Sequence, residues 1–207
     1  MRITNVFVPS VAGVERFAPY LENSLNSLTS QNNQLLSKMN ATINLYSLTW
    51  RESRTFLFAA LFVIGNIALP QLCHLIPNGG HMLLPIYFFT LVAAYKYGWQ
   101  VGLLTAILSP MVNSALFGMP APAVLPSILV KSVVLALSAA YVARRAQSVS
   151  IPLLYAVVLL YQVVGSLIES LMAGSLAVGF TDFRLGIPGM LLQVFGGYFV
   201  IRYLLKK

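Results

Sequence analysis

Charged residues are scarce in this chain, and acidic residues are the scarcest. Asp and Glu together contribute 5 of the 207 residues and Lys and Arg contribute 13, whereas 58% of the residues are hydrophobic. Soluble globular proteins carry about 25% charged residues, but this chain carries 9%. The shortage excludes an ordinary soluble domain and predicts a protein embedded in lipid.

Cysteine is almost missing as well. Cys73 is the one cysteine, so no disulfide can form within the chain. The sequence also lacks HExxH, CxxC and GxGxxG motifs, which leaves no recognisable enzyme signature. Residues 1–50 lack the apolar core of a secretory signal and are polar. We interpret them as a cytoplasmic extension, either an interfacial helix or an artefact of a true start at Met39.

What the chain has instead is a series of six apolar runs within residues 51–207. Alternation of polar and apolar residues is absent, and a membrane-spanning helix needs about 20 residues. The sequence therefore predicts an all-α integral membrane protein, a bundle of six transmembrane helices. The predicted spans are Arg54–Leu72, Met82–Tyr97, Trp99–Phe117, Val124–Arg144, Pro152–Ser175 and Gly186–Leu205.

Basic residues collect on one side of these predicted spans. Only Arg184 falls on the other side, and Lys131 lies within the fourth span. Cytoplasmic loops carry an excess of Lys and Arg, so both termini are expected in the cytoplasm. The net charge of +8 then reports orientation, and nucleic acid is excluded as a partner. The residues on the basic side are Arg2, Arg16, Lys38, Arg51, Arg54, Lys96, Arg144, Arg145, Arg202, Lys206 and Lys207.

Polar residues inside the spans concentrate near the outer ends. At 1.5 Å per residue, Lys131 is expected about 10 Å below the outer end of its span, and Glu169 at a similar depth. A charge at this depth is costly and normally faces a partner or a cavity. We therefore predict a substrate pocket that opens outward, although Lys131 and Glu169 can also neutralise each other while the amides hold helices together. The amides of this layer are Asn66, Asn113 and Gln193.

The first outer loop holds the sulfur and imidazole groups of the chain. Cys73, His74 and His81 lie within nine residues of one another, and such ligands suit late first-row metals. The alternative is that Cys73 is a small buried hydrophobic residue. Tyr87, at the outer end of the second span, either stacks on a ligand or belongs to an interfacial aromatic belt.

Three segments resemble the second to fourth helices of the S-components of energy-coupling factor (ECF) vitamin transporters. They are Leu84–Gly98 (LPIYFFTLVAAYKYG), Gly102–Pro110 (GLLTAILSP) and Phe117–Pro120 (FGMP). The resemblance covers about residues 54–205 and implies a six-helix vitamin-binding protein of the bacterial inner membrane. It also implies a coupling subunit with ATPases as partner. Docking there uses small residues spaced AxxxA in helix one, and Ile64 follows Ala60 at that spacing, which weakens this expectation.

Within that superfamily, the chain is most similar to the cobalamin-specific BtuM-like group. Its members carry a cysteine near the outer end of helix one, and Cys73 in Leu69–His74 (LPQLCH) matches that position. The resemblance implies uptake of cobalamin with Cys73 as the cobalt ligand, and a thiolate there can also replace an upper ligand such as cyanide. The alternatives are an S-component for another vitamin or precursor with Cys73 a bystander, and a structural or interaction protein of the membrane.

Overall fold

The computed structural model describes residues 20, 22–32, 41–42, 45, 48–73, 75 and 82–204. The chain divides into two compact units, Met1–Asn40 and Ala41–Lys207. In the first unit, residues 22–32 are helical and exposed. The second unit begins earlier than the predicted boundary at residue 50, because residues 41–42 pair with a segment between two helices of the bundle.

Helices dominate the described part of the second unit. The long ones are α1 (Ser53–Cys73), α3 (Trp99–Phe117), α4 (Leu125–Ala146) and α5 (Ile151–Ala173). The shorter ones are α2 (Phe88–Tyr97), α6 (Leu176–Leu185) and α7 (Ile187–Phe199), with a 3-10 turn at Pro85–Tyr87 before α2 and a π-helical end at Val200–Leu204 after α7. Two-residue strands β1 (Ala41–Thr42) and β2 (Ser148–Val149) pair in antiparallel register.

Four of the described helices are long and apolar enough to cross a membrane. They are α1, α3, α4 and α5, with 19 to 23 residues each, and the bent pair formed by α6 and α7 with its π-helical end counts as a fifth. The two parts of that pair meet at 45°. A helix satisfies its own backbone hydrogen bonds, which the hydrocarbon core requires. The prediction of an all-α, multi-pass membrane protein is thus confirmed.

The second predicted span, Met82–Tyr97, is already short for a transmembrane helix, and the structure makes it shorter still. Its regular part is α2, ten residues long and therefore about 15 Å, which is too short to cross the bilayer core. Every side chain of 90–97 is buried, as expected of a core helix rather than one facing lipid. Pro85 and the left-handed Leu84 (φ 47°) interrupt the run, because proline lacks a backbone N–H and disfavours helical geometry in the residue before it. The prediction of six spans is therefore not confirmed.

The two ends of the bundle differ in charge. At the basic end, β1 pairs with β2, the Tyr95 hydroxyl donates to the Ser148 carbonyl at 2.7 Å, and the Leu48 amide donates to the Tyr97 carbonyl at 3.4 Å. The helix bounds place six basic residues at this end: Arg51, Arg54, Lys96, Arg144, Arg145 and Arg202. The opposite end, which we call the open end, holds the C-termini of α1, α3 and α5 and the N-terminus of α4.

Small residues bring the central helices close together. Gly102 of α3 lies against Ala94 of α2, where an added Cβ would come within 2.5 Å of the Ala94 Cβ. On α4, four alanines are fully or almost fully buried: Ala136, Ala139, Ala140 and Ala143. Packing by small side chains is typical of helices in membranes, and it makes α2 the centre of the core.

Candidate functional site

A cavity of about 450 Å³ lies at the open end of the bundle. Its walls are mostly apolar, with a few polar groups, as is common for small-molecule sites. Four predicted site residues contribute to it: Tyr87, Asn113, Lys131 and Glu169. Further lining residues come from α1, α4, α6 and the loop between α3 and α4, among them Pro70, Gln71, Met119, Ser127, Ile128 and Asp182.

Lys131 joins two carboxylates in the cavity wall. Its Nζ lies 2.7 Å from Glu169 Oε2 and 2.7 Å from Asp182 Oδ2. The Lys131 side chain is 3% exposed, whereas those of Glu169 and Asp182 are 21% and 23% exposed. The cation therefore lies behind the two anions, and the carboxylates face the open space.

Two glycines on neighbouring helices make this arrangement possible. A Cβ on Gly165 of α5 would overlap with the aliphatic chain of Lys131, so the absent side chain provides the space through which Lys131 extends. A Cβ on Gly179 of α6 would overlap with Ser166 and Ser170 of α5, so α6 lies directly on α5. This close contact brings Asp182 to Lys131, and Gln162 Nε2 donates a second hydrogen bond to Asp182 Oδ2 at 2.8 Å.

Asp182 was missed by the sequence analysis. Residues 176–185 lie between the fifth and sixth predicted spans, and in the structure they form α6. The signal was present, because Asp182 is the one aspartate of the sequence and sits in an otherwise apolar stretch of helical length. The carboxylate near Lys131 that the sequence did predict, Glu169, is its ion-pair partner.

Asn66 ties three helices together and does not line the cavity. Its Nδ2 donates to Thr90 Oγ1 at 3.0 Å and Ser109 Oγ at 3.1 Å, and its Oδ1 accepts from the Phe89 amide at 3.1 Å. Asn113 Nδ2 in turn donates to the Asn66 carbonyl at 3.3 Å. The two asparagines therefore have different roles, and Asn66 holds α1, α2 and α3 in register.

Asn113 is the predicted amide that lines the cavity, which Gln71 of α1 also lines. It is 2% exposed, and its Oδ1 has no hydrogen-bond partner among the described residues. An unpaired buried acceptor costs about 1–3 kcal/mol, so the position is unfavourable unless another molecule donates to it. Asn113 belongs to the lining of the cavity that also contains the Lys131 cluster, although its Oδ1 exposes less than 1 Å².

Gln193 is part of the interior below the cavity. It is fully buried, and its Oε1 accepts from the Tyr161 hydroxyl at 3.0 Å. The Tyr161 ring packs against the ring of Tyr87, with centroids 5.2 Å apart. Tyr87 belongs to the cavity lining, so the aromatic pair connects the cavity wall to the core.

The predicted metal-ligating loop is only partly within the described residues. Cys73 ends α1, is buried, and does not belong to the cavity lining, although the nearby Pro70 and Gln71 do. His74 and His81 lie outside the described residues. The described part of the chain contains no group of three or more His, Cys, Asp and Glu side chains that could hold a metal ion. Cobalt ligation by Cys73 stays a prediction.

Glu169 and Asp182 also border a second, more open groove. It has a volume of about 380 Å³ and is otherwise lined by Ala177, Val178, Thr181 and Leu185. The two carboxylates thus separate the cavity from a depression beside α6.

Comparisons with models of protein families, with curated proteins and with solved structures found no match to this chain.

Proposed function

We propose that this protein is a membrane-embedded binding protein that captures a small molecule for uptake, as an ECF-type S-component does. The observation that supports this most strongly is the cavity at the open end, where Asn113 Oδ1 lacks a partner beside a buried charged cluster. Asn66, which only holds helices together, has both polar atoms of its side chain paired. Asn113 and the carboxylates leave acceptors free, which argues against a purely structural protein.

The proposal includes orientation and location. We infer six membrane segments, with α2 as the short second one, both termini in the cytoplasm, and the cavity facing outward from a bacterial inner membrane. The basic end supports this orientation, because it gathers the arginines that the positive-inside rule assigns to the cytoplasm. Arg184 is the one basic residue of α6, and α7 contains none.

Orientation is tested by labelling single cysteines in a Cys73→Ser background. Met119→Cys lies at the cavity and Gln147→Cys lies at the basic end, and both native side chains are exposed. A membrane-impermeant maleimide applied to intact cells with permeabilised outer membranes should label Met119→Cys and should label Gln147→Cys only after lysis. The reverse pattern would contradict the proposed orientation.

The geometry favours a ligand smaller than cobalamin. Pockets for drug-sized ligands measure roughly 300–1,000 Å³, and this cavity lies in the lower half of that range. A corrinoid is much larger than such ligands, so binding it would require the cavity to widen, and Cys73 does not line it. A different vitamin or precursor, with Cys73 outside the site, therefore fits the described residues better than cobalamin does.

Ligand identity is tested by incubating the detergent-purified protein with cobalamin and the other water-soluble vitamins and measuring retention by native mass spectrometry. Asn113→Leu removes the free acceptor at nearly constant size, and Gln147→Leu is a matched control at the basic end. We expect one compound to be retained by wild type and Gln147→Leu, and at least about tenfold less by Asn113→Leu. Equal retention by all three proteins, or by none, would refute binding at this cavity.

Cobalamin has its own readout in the same experiment. A corrin absorbance spectrum that is retained and shifted in wild type, but unshifted in Cys73→Ser, would establish cobalamin as ligand with cobalt–thiolate bonding. If the wild-type protein also removes the cyanide ligand faster than Cys73→Ala does, the experiment would establish that the Cys73 thiolate replaces this ligand. Retention of a vitamin without cobalt would instead establish that the protein binds a different vitamin or precursor and that Cys73 is not a ligand.

A further inference from the structure

The charges of the cavity wall do not balance. In their charged forms, one ammonium group and two carboxylates sum to −1, and the described lining residues include no other charged side chain. Arg184, two residues after Asp182 on α6, is exposed and is not part of the lining. An uncompensated charge that is partly withdrawn from water is costly, so a ligand that brings one positive charge would neutralise the cluster.

The ammonium group of this cluster is more deeply buried than its two carboxylates. Lys131 is nearly inaccessible, whereas each carboxylate keeps about a fifth of its side chain exposed. Each carboxylate uses one oxygen for Lys131, and its other oxygen has no hydrogen-bond partner among the described residues. A molecule in the cavity therefore meets the negative ends of the cluster first.

Free hydrogen-bonding capacity points the same way, independently of charge. Asn113 Nδ2 is used by the Asn66 carbonyl, so the group that Asn113 offers is its unpaired Oδ1. The Ser127 hydroxyl, also in the lining, already donates to the Val124 carbonyl at 2.9 Å. The free groups of Asn113, Glu169 and Asp182 are therefore acceptors, which N–H groups of a ligand would complement, whereas Gln71 and Tyr87 of the same lining carry donors.

We propose that the cavity takes a ligand with an apolar body and one cationic nitrogen, and that this nitrogen lies against the free carboxylate oxygens of Glu169 and Asp182. This inference rests on the proposed binding function and narrows its substrate class. The Tyr87 ring in the same wall offers a further favourable surface to a cation. An anionic ligand would have to approach Lys131 past two carboxylates, which makes the opposite assignment unfavourable.

The charge of the cavity is tested without knowing the ligand. In the Cys73→Ser, Met119→Cys protein, rate constants are measured for a trimethylammonioethyl and a sulfonatoethyl methanethiosulfonate, and their ratio is divided by the ratio of the same two reagents toward a small uncharged thiol in solution. We expect the normalised ratio to favour the cationic reagent by at least about tenfold. Glu169→Gln with Asp182→Asn should lower it, and Lys131→Met should raise it.

The ligand class is tested by protection of the same cysteine. Three compounds with one skeleton are compared: 4-phenylbutylamine, 4-phenylbutanamide and 4-phenylbutyrate. The amine should slow modification at a concentration at least about tenfold lower than the amide or the carboxylate, and the Glu169→Gln, Asp182→Asn protein should lose this preference. Glu52→Gln, an acidic residue before α1, is the matched control and should keep it.

Both results are required, and failure of either one overturns the inference. A normalised ratio at or below one would show that the cavity is not negative. Equal or stronger protection by the carboxylate or the amide would refute the cationic ligand while still showing that the cavity binds small molecules. Failure of the vitamin retention experiment, by contrast, would count against the proposed function itself.

Discussion

Lys131→Met is the substitution with the largest expected effect on stability. It removes the one cation that lies 2.7 Å from both Glu169 Oε2 and Asp182 Oδ2 and leaves two carboxylates facing each other. Breaking a buried ion pair by removing one partner costs about 3–5 kcal/mol. Because the carboxylates here remain 21% and 23% exposed, water can partly solvate them, and we expect a cost near the lower limit, about 3 kcal/mol.

A stability loss of this size is large enough to measure in detergent. For a chain of about 200 residues, 1 kcal/mol corresponds to roughly 2–4 °C in the midpoint of thermal unfolding. The Lys131→Met midpoint should therefore fall by about 6–12 °C. Unfolding of such proteins is often irreversible, so all variants are compared at one heating rate by loss of the monodisperse peak in size-exclusion chromatography.

A neutral version of the cluster separates charge from packing. In the triple variant Lys131→Met, Glu169→Gln, Asp182→Asn no charge is left uncompensated, and most of the lost stability should return. Arg184→Met, an exposed cation on α6, should change the midpoint by no more than about 2 °C. The reasoning is refuted if Lys131→Met melts like wild type, or if the triple variant melts no higher than Lys131→Met.

Three further predictions concern Gly165 beside the site, Asn66 in the core and Glu52 at the basic end. Gly165→Ala should destabilise the protein by about 1–3 kcal/mol, because its Cβ overlaps with the Lys131 side chain, and its effect should be less than additive with that of Lys131→Ala. Asn66→Leu should cost about 2 kcal/mol, since the groups it pairs between α1, α2 and α3 lose their partner. The pKa of Glu52 is held below its ordinary value by the hydrogen bond from the Thr49 amide, then by the hydrogen bond from the Thr49 hydroxyl and by the charge of Arg54. Thr49→Val removes the hydroxyl and should therefore raise the Glu52 pKa measured by NMR titration.

The lowered Glu52 pKa makes the stability of the fold depend on pH, with a sign that follows from the linkage between proton binding and folding. A carboxyl group whose pKa is lower in the folded state stabilises the fold above its unfolded pKa, near about 4.3, and this contribution is lost as the pH falls through the lowered value. A Glu52 pKa that Thr49→Val leaves unchanged would contradict the part assigned to the Thr49 hydroxyl, because the Thr49 amide remains in the variant. Fully additive losses for Gly165→Ala and Lys131→Ala would show that the two residues do not compete for space. Gln147→Leu, an exposed amide change, is the control for Asn66→Leu.

Parts of the fold could be predicted closely from the sequence. The predicted third span and α3 share the bounds Trp99–Phe117, because glycines mark both ends: Gly98 lies outside helical geometry and Gly118 adopts a left-handed conformation (φ 67°). The predicted second span was too long, since hydropathy does not distinguish a helix buried in protein from one buried in lipid.

The candidate site was predicted less completely than the fold. Lys131 and Glu169 could be found because each is a charge inside an apolar run. Asp182 could not be assigned, because its relation to Lys131 depends on how α6 folds back on α5 at Gly179. Asn66 and Asn113 look alike in the sequence, yet one pairs with three groups and the other keeps a free oxygen.

The sequence by itself determined that this is a helical membrane protein with a polar layer near one end, because the hydrocarbon core admits long apolar helices and few charges, and both are properties of composition along the chain. The tertiary structure decided which polar groups satisfy one another and which remain free. That depends on distances of a few ångströms between helices that are far apart in sequence, and hydrogen bonds and ion pairs form only at such distances.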